Sequence, residues 1–329
     1  MNKIKTIGLL GGGVIGAGWA ARCLLNGLDV ALYDPDPDTE KKTGEVLDNA
    51  RRAYGQISPT GLPSEGKLRF ADSIGDAVEA ADFVQESLPE REDLKKSVLA
   101  EACKVLRPDV IIGSSTSGLL PSRIQSSIDG PERFVVGHPF NPVYLMPLVE
   151  VCGGDLTSPE TRDAAIAFYA SIGMRPLHVR KEIDGFIADR LMEALWREAL
   201  WMINDDVATA EEIDDAMRFG PGLRWSFMGT FLTYRIAGGV GGMRHFMEQF
   251  GPALQLPWTR LMDVPDMTDD LVDKIARQSD DQAGEASIRE LERLRDDCLI
   301  SVMKGLESQN YGAGEVLGKF RKRLQKGDW

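Results

Sequence analysis

Short apolar runs alternate with longer stretches of helical periodicity over roughly the first 180 residues of the chain. The apolar runs that predict strands are residues 4–10, 29–33, 83–86, 110–113, 134–138, 147–152 and 177–179. Helical spacing predicts helices at residues 14–26, 91–105 and 159–171. This alternation is typical of an α/β protein with a parallel, doubly wound sheet of the Rossmann type, whose ligands bind beyond the carboxyl ends of the strands. Residues 54–66, which contain Gly and Pro, predict a loop.

The pattern changes near residue 184. Residues 186–204, 211–219 and 287–306 carry apolar positions at helical spacing, and no strand-like alternation returns. We therefore predict two domains, a doubly wound domain of residues 1–182 and an all-helical domain of residues 183–329. The basic segment 319–326 predicts a solvated helix end, with an anion site as the alternative.

A glycine-rich turn joins the first predicted strand to the first predicted helix, in the segment IKTIGLLGGGVIGAG. Its glycines allow a tight turn, a close approach of the backbone to a pyrophosphate, and close packing of helix on strand. The cofactor contacts predicted at this turn and helix start are Gly11, Gly13, Val14, Ile15 and Gly16. Asp34 ends the second strand, 18 residues after the last of these glycines, where a carboxylate binds the ribose hydroxyls and repels a 2′-phosphate. This order predicts an NAD site; the alternative is a structural turn with Asp34 as a helix cap.

The composition limits the classes of partner. At 329 residues the chain is long enough for two domains with cores of their own. Its net charge of −13 argues against nucleic acid or an anionic membrane surface as a partner. The four cysteines show no C-x-x-C spacing, which predicts reduced, buried thiols and no metal site. No signal peptide is predicted, and no apolar stretch approaches the roughly 18 residues of a membrane span, so we expect a cytoplasmic protein.

Several polar positions lie where the predicted fold would present them to a nicotinamide. Ser117 lies just past one predicted strand, His138 ends the next, Asn141 follows it, and Glu150 lies within the strand after that. Oxidation of an alcohol needs a base for the hydroxyl proton, and a histidine oriented by a carboxylate is suited to that role. A glutamate inside an apolar strand needs a partner, and His138 is the obvious one. The alternatives are a core histidine bonded to backbone and a turn or helix-cap serine.

The motifs ESLPEREDLKK, SSTSG, GHPFNPVYLMPLVEV and DGFIADRL follow the glycine turn in that order. Together they resemble the 3-hydroxyacyl-CoA dehydrogenase family, densely over about the first 200 residues. The resemblance implies a catalytic set of Ser117, His138 and Glu150. It also implies cofactor contacts and a homodimer formed through the helical domains. The cofactor contacts that it implies are Asp34, Glu90, Lys95 and Asn141.

The sequence departs from the family pattern at two places. Asp189 stands in GFIADR, where the family usually carries an asparagine, and the segment that begins GLRW replaces a proline-bearing stretch. These features resemble most the members of the family that oxidise L-carnitine, a small 3-hydroxy acid with a trimethylammonium group. L-gulonate or a short-chain 3-hydroxyacyl-CoA is the alternative substrate. A non-catalytic, crystallin-like NAD-binding protein is the alternative outside enzymes.

L-carnitine needs hydrogen-bond donors for its carboxylate. Its trimethylammonium group needs aromatic faces and a carboxylate in the vicinity. Arg224 is the best candidate for the carboxylate and Arg235 the second. The cation is expected near Asp189 and near some of the aromatic residues of the helical domain, with Trp225 and Phe227 favoured. The set also contains Trp196, Trp201, Phe231 and Tyr234. The alternatives are helix core for any one ring and an ion pair with Arg190 or Arg197 for Asp189.

Overall fold

The computed structural model describes residues 4–57, 63–259 and 268–311, and contacts divide the chain into two units, Met1–Met192 and Glu193–Trp329. The predicted boundary between residues 182 and 183 stays a prediction. The predicted helix end at residues 319–326 and part of the predicted loop at residues 54–66 lie outside the described residues.

One sheet of eight strands organises the described part of the first unit. Its strands are β1 Thr6–Leu10, β2 Asp29–Tyr33, β3 Leu68–Phe70, β4 Phe83–Glu86, β5 Ile111–Ser114, β6 Phe134–Pro139, β7 Leu148–Cys152 and β8 Arg175–Val179. Their order across the sheet is β3-β2-β1-β4-β5-β6-β7-β8, and the first six are parallel. Strands β2 and β3 lie on one side of β1, and β4 and the later strands lie on the other. This topological switch point, where α/β sheets bind ligands, is therefore beside the glycine turn.

The last two strands run opposite to the rest, so the expectation of a wholly parallel sheet is wrong for them. β7 pairs antiparallel with β6, and β8 pairs parallel with β7. Only the eight residues 140–147 join β6 to β7. A parallel connection needs a crossover of about a dozen residues or more. The short link therefore turns the chain back along the edge of the sheet.

Helices cover both faces of this sheet. They are α1 Val14–Leu25, α2 Thr39–Ile57, α3 Ile74–Val78, α4 Glu92–Cys103, α5 Pro121–Gln125 and α6 Pro159–Ser171. Along β6 the side chain of Val135 packs in one core with Trp19 and Tyr169, whereas Phe134 and Val136 pack in the other core. Alternate side chains of this buried strand thus pack on opposite faces of the sheet, in two separate cores. The predicted doubly wound architecture is confirmed.

Helix α2 extends into the predicted loop, so the loop prediction is wrong for residues 54–57. The helix buries Thr43, Leu47 and Ala50, a narrow stripe of small and medium side chains at helical spacing. Most of its other residues are polar, so the helix offers few apolar positions from which to predict it.

Helices, joined by turns and short loops, are the only regular elements of the second unit in the ranges 193–259 and 268–311. Its helices are α7 Ala188–Asn204, which begins in the first unit, α8 Ala210–Phe219, α9 Pro221–Trp225, α10 Thr230–Ala237, α11 Gly242–Phe250, α12 Asp269–Ala283 and α13 Ile288–Ser308. Capping boxes start α8 at Thr209 and α13 at Ser287, which satisfies N–H groups that a helix end leaves open. The all-helical prediction is confirmed for these residues. No helix in the described ranges is long and apolar enough to cross a membrane.

All four cysteines are free thiols; the predicted burial is confirmed for three of them and is wrong for Cys298, which is half-buried. Burial raises the pKa of the Cys23 thiol to about 12, and burial raises that of Cys152 to about 12 as well. These two thiols therefore stay protonated and contribute to core packing rather than acting as nucleophiles.

Candidate active site

The turn between β1 and α1 can be built only with glycine. Gly11 has a φ of +100°, and a Cβ there would lie 2.6 Å from the carbonyl oxygen of Ser87. A Cβ at Gly16 would lie 1.9 Å from the carbonyl oxygen of Gly11, so helix and turn are in direct backbone contact. The two glycines hold the start of α1 against the ends of β1 and β4.

The N-terminus of α1 is open to a ligand. Gly13 caps the helix without a side-chain hydrogen bond, and the first turn contains no acidic residue. A Cβ at Gly13 would meet no atom within 4 Å, and Val14 is 63% exposed. Ile15 is half-buried beside it. Free N–H groups at a positive helix end, with space in front of them, fit a pyrophosphate.

Asp34 lies at the carboxyl end of β2, next to this turn. Its Oδ2 accepts the backbone N–H of Gly12 at 2.6 Å, and its Oδ1 accepts that of Asp36 at 2.8 Å. Neither donor belongs to a helix, so these bonds do not make Asp34 a helix cap. Each carboxylate oxygen keeps acceptor capacity for a ribose hydroxyl.

His138 and Glu150 face each other across the antiparallel pair of β6 and β7. Directly opposed residues of such a pair lie on one face with Cβ atoms roughly 5 Å apart. Nδ1 of the imidazole is 3.0 Å from Oε2 of Glu150, and the two side chains are 6% and 0% exposed. The structure thus brings together the histidine and the carboxylate that the sequence analysis paired.

The second oxygen of Glu150 is held by the start of α7. Oε1 accepts the backbone N–H groups of Ile187 and Ala188, each at 2.9 Å. These N–H groups are presented by a sharp turn in which both Gly185 and Phe186 have positive φ, of +72° and +46°. A bulky residue rarely adopts that conformation, which costs on the order of 1–3 kcal/mol. The burial of the Phe186 side chain stabilises this turn. The hydrogen bonds from the N–H groups of the next two residues to Glu150 stabilise it further.

Asp189 lies beside the other nitrogen of the imidazole. Its Oδ2 is 3.6 Å from Nε2 of His138, and its side chain is 26% exposed. The rings of Phe140 and Phe186 lie 4.7 and 5.7 Å from the imidazole, measured between centroids. The imidazole is therefore enclosed by two carboxylates and two apolar rings. Neither phenylalanine was singled out from the sequence, although both stand in the motifs GHPFNP and DGFIADR.

Glu90 holds the loop that carries Ser117. Its Oε1 accepts the backbone N–H groups of Ser117 and Gly118 at 3.1 and 2.9 Å, and the hydroxyl of Thr116. Burial alone would raise the pKa of Glu90, but these hydrogen bonds and the charge of Lys95 together lower it. Because β5 and β6 are parallel neighbours, Ser117 and His138 lie at the same edge of the sheet.

Lys95 is buried among acceptors. Its Nζ lies 2.8 Å from Oε1 of Glu86, 3.0 Å from the carbonyl oxygen of Leu88 and 3.3 Å from Oε2 of Glu90. Glu86 is fully buried and also accepts the hydroxyl of Ser114. The sequence analysis did not single out Glu86, and an acidic residue at the end of the apolar strand 83–86 was the available signal.

The remaining predicted positions lie at the surface or in the second unit. Asn141 is exposed just beyond β6. Arg224 and Trp225 are exposed in α9, and Phe227 packs against a small core of the second unit. Arg235, the second candidate for the substrate carboxylate, pairs with Asp280.

Two family models together match most of the chain. Residues 6–183 match the NAD binding domain of 3-hydroxyacyl-CoA dehydrogenase, and residues 185–278 match its C-terminal domain. The chain belongs to the 3-hydroxyacyl-CoA dehydrogenase family. The resemblance read from the motifs is thereby confirmed, and the cofactor of the first unit is NAD.

Two curated relatives and one solved structure are similar to this chain over most of its length. An L-carnitine dehydrogenase of Mesorhizobium japonicum is 58% identical over 99% of this chain and 90% of its own. One of Pseudomonas putida is 56% identical over 95% of this chain and 98% of its own. The crystal structure of FHMPC 5-dehydrogenase, an NAD+-dependent dismutase, is 28% identical with a TM-score of 0.72, over 93% of this chain and 99% of that one. The chain is accordingly an NAD-dependent dehydrogenase.

Proposed function

We propose that this protein catalyses the NAD-dependent oxidation of the 3-hydroxyl group of L-carnitine to 3-dehydrocarnitine. The observation that carries the chemistry is the buried His138–Glu150 pair at the carboxyl edge of an NAD-binding sheet. The named relatives support the substrate, since the chain is 58% identical to an L-carnitine dehydrogenase. We place the reaction in the cytoplasm, where the sequence analysis expects the protein.

The residues at the glycine turn fit the cofactor. The open N-terminus of α1 at Gly13 suits the pyrophosphate, and Asp34 has acceptor capacity for the adenosine ribose. Glu90, Lys95 and Asn141 stay the predicted contacts on the nicotinamide side. When bound, NAD+ supplies an acceptor for the hydride that leaves the carbinol carbon.

His138 acts as the general base in this proposal. Glu150 accepts from Nδ1, which leaves Nε2 as the acceptor for the substrate hydroxyl proton. The two backbone N–H groups on Oε1 fix the carboxylate, so the imidazole keeps one orientation while it gains and loses the proton. Ser117, on the neighbouring loop, hydrogen-bonds the same substrate oxygen. Arg224 stays the predicted partner of the substrate carboxylate, with Trp225 and Phe227 near the cation.

A panel of substrates tests the proposed function. The purified protein is incubated with NAD+ and, separately, L-carnitine, D-carnitine, L-gulonate and 3-hydroxybutyryl-CoA, and NADH formation is followed by absorbance. We expect turnover with L-carnitine, and we expect NADP+ to replace NAD+ poorly because the Asp34 carboxylate repels a 2′-phosphate. Turnover of L-gulonate or the thioester alone would contradict the proposed substrate. Binding of NAD+ without any turnover would favour a non-catalytic role.

We infer a homodimer formed through the second unit. Helix α7 buries none of its residues, and its large apolar side chains, among them Leu195 and Trp196, are exposed. Monomers rarely leave so large an apolar face exposed to solvent. The family resemblance implies a homodimer, so we infer that a second copy of this chain covers the face. We expect Leu195→Glu to convert a dimer to a monomer in sedimentation velocity. The control Arg197→Glu lies on the opposite side of the helix and should stay dimeric. A wild-type monomer would contradict the inference.

A further inference from the structure

A second carboxylate stands where the mechanism needs only one. Glu150 orients the imidazole through Nδ1, whereas Asp189 lies 3.6 Å from Nε2, the nitrogen that receives the substrate proton. The Asp189 side chain is 26% exposed, in contrast to the buried Glu150. Because Asp189 is adjacent to the atom that the substrate hydroxyl must approach, it lies near the place where the groups on either side of the carbinol carbon would bind.

The bond lengths of the substrate bring its cation to this carboxylate. In L-carnitine three single bonds join the hydroxyl oxygen to the ammonium nitrogen, so the two atoms lie only about 3–4 Å apart. With its hydroxyl hydrogen-bonded to Nε2, L-carnitine can therefore bring its trimethylammonium group within contact distance of Asp189. A quaternary ammonium has no N–H to donate, so its attraction to a carboxylate is purely electrostatic and needs no aligned hydrogen bond.

The count of charges around the base agrees with this placement. As the imidazole takes the hydroxyl proton it becomes a cation, next to the fixed cation of the substrate. Glu150 compensates the imidazolium through Nδ1, and Asp189 compensates the substrate ammonium. A neutral substrate group at this position would lack that attraction to the Asp189 carboxylate, and an anionic group would be repelled by it.

We propose that Asp189 is the specificity-determining residue that selects 3-hydroxy acids carrying a fixed positive charge on the carbon next to the carbinol. This inference rests on the proposed oxidation of L-carnitine and adds the group that recognises its cation. It predicts that Asp189 discriminates by charge rather than by size.

The test compares L-carnitine with its uncharged isostere 3-hydroxy-5,5-dimethylhexanoate, in which a tert-butyl group replaces the trimethylammonium group. We expect wild-type protein to favour L-carnitine in kcat/KM, and Asp189→Asn to reduce that preference by about 10–100-fold, mainly through KM. The kcat/KM for the isostere should stay level or rise. Titration of L-carnitine into the protein with NADH gives the same loss of affinity without turnover.

Two further variants make the result decisive. Asp184→Asn removes an exposed carboxylate five residues earlier in the same segment and should leave the preference unchanged. Asp189→Ala repeats the test should the asparagine variant fail to fold. An unchanged preference in an active Asp189 variant, or an equal loss for both substrates, would overturn the inference alone. Absence of L-carnitine turnover by the wild-type protein would overturn the proposed function itself.

Discussion

Replacement of His138 by alanine is expected to lower kcat by about 10²–10⁴-fold, the usual loss when a general base is removed. In the proposed reaction Nε2 of the imidazole accepts the hydroxyl proton, while Glu150 holds Nδ1 at 3.0 Å. Without it the proton must leave to solvent through a site that is almost closed, since the side chain is only 6% exposed. Steady-state rates of NADH formation with L-carnitine measure the loss.

The chain offers a matched control for this experiment. His178 lies on β8, the edge strand of the same sheet, and is exposed. His178→Ala should retain wild-type turnover, and both variants should bind NADH as the wild type does, measured by its fluorescence. Partial restoration of His138→Ala by added imidazole would support a proton-transfer role. Near-normal turnover without imidazole would rule out His138 as the base.

Replacement of Lys95 by methionine is expected to lower the free energy of unfolding by about 3–5 kcal/mol. The ammonium group is 1% exposed and lies 2.8 Å from Glu86, which is fully buried. Removing it leaves an uncompensated carboxylate in the core, which is far costlier than losing a surface ion pair. Urea denaturation, followed by circular dichroism, gives the difference from the wild type.

The neighbouring lysine isolates the effect of burial. Lys96 pairs with Glu92 at 2.7 Å on the surface of the same helix, and both side chains are about one-third exposed. Lys96→Met should change the free energy of unfolding by less than about 1 kcal/mol. Equal losses for the two variants would mean that the buried pair contributes no more than the exposed one.

The parts of the molecule that the sequence predicted are those encoded by local patterns. The strands around the glycine turn, the turn itself and the three helices α7, α8 and α13 each follow from spacing over a few residues, whereas α9 to α12 were not predicted individually. The pairing of His138 with Glu150 followed from a polar residue in an apolar strand, which must find a partner. Cofactor class and family followed from the order of such motifs.

The parts that were missed depend on contacts between distant segments. Helix α2 offered few apolar positions to the sequence analysis, since the residues that its described part buries are Thr39, Thr43, Leu47 and Ala50. The contact of Asp189 with His138 could not be predicted, since the two are 51 positions apart and depend on the left-handed turn at Gly185 and Phe186. The roles of Arg224, Trp225 and Phe227 stay predictions, because no local pattern separates a ring that binds substrate from one that packs.

The reversal of the chain after β6 also bears on how the catalytic pair forms during folding. His138 and Glu150 are 12 positions apart and meet across a link of eight residues. The loop-closure entropy of so short a link is small, and local pairings form early relative to crossovers between parallel strands. His138 and its carboxylate partner therefore lie within a single hairpin. Insertions elsewhere in the sheet can reshape the substrate site without separating them.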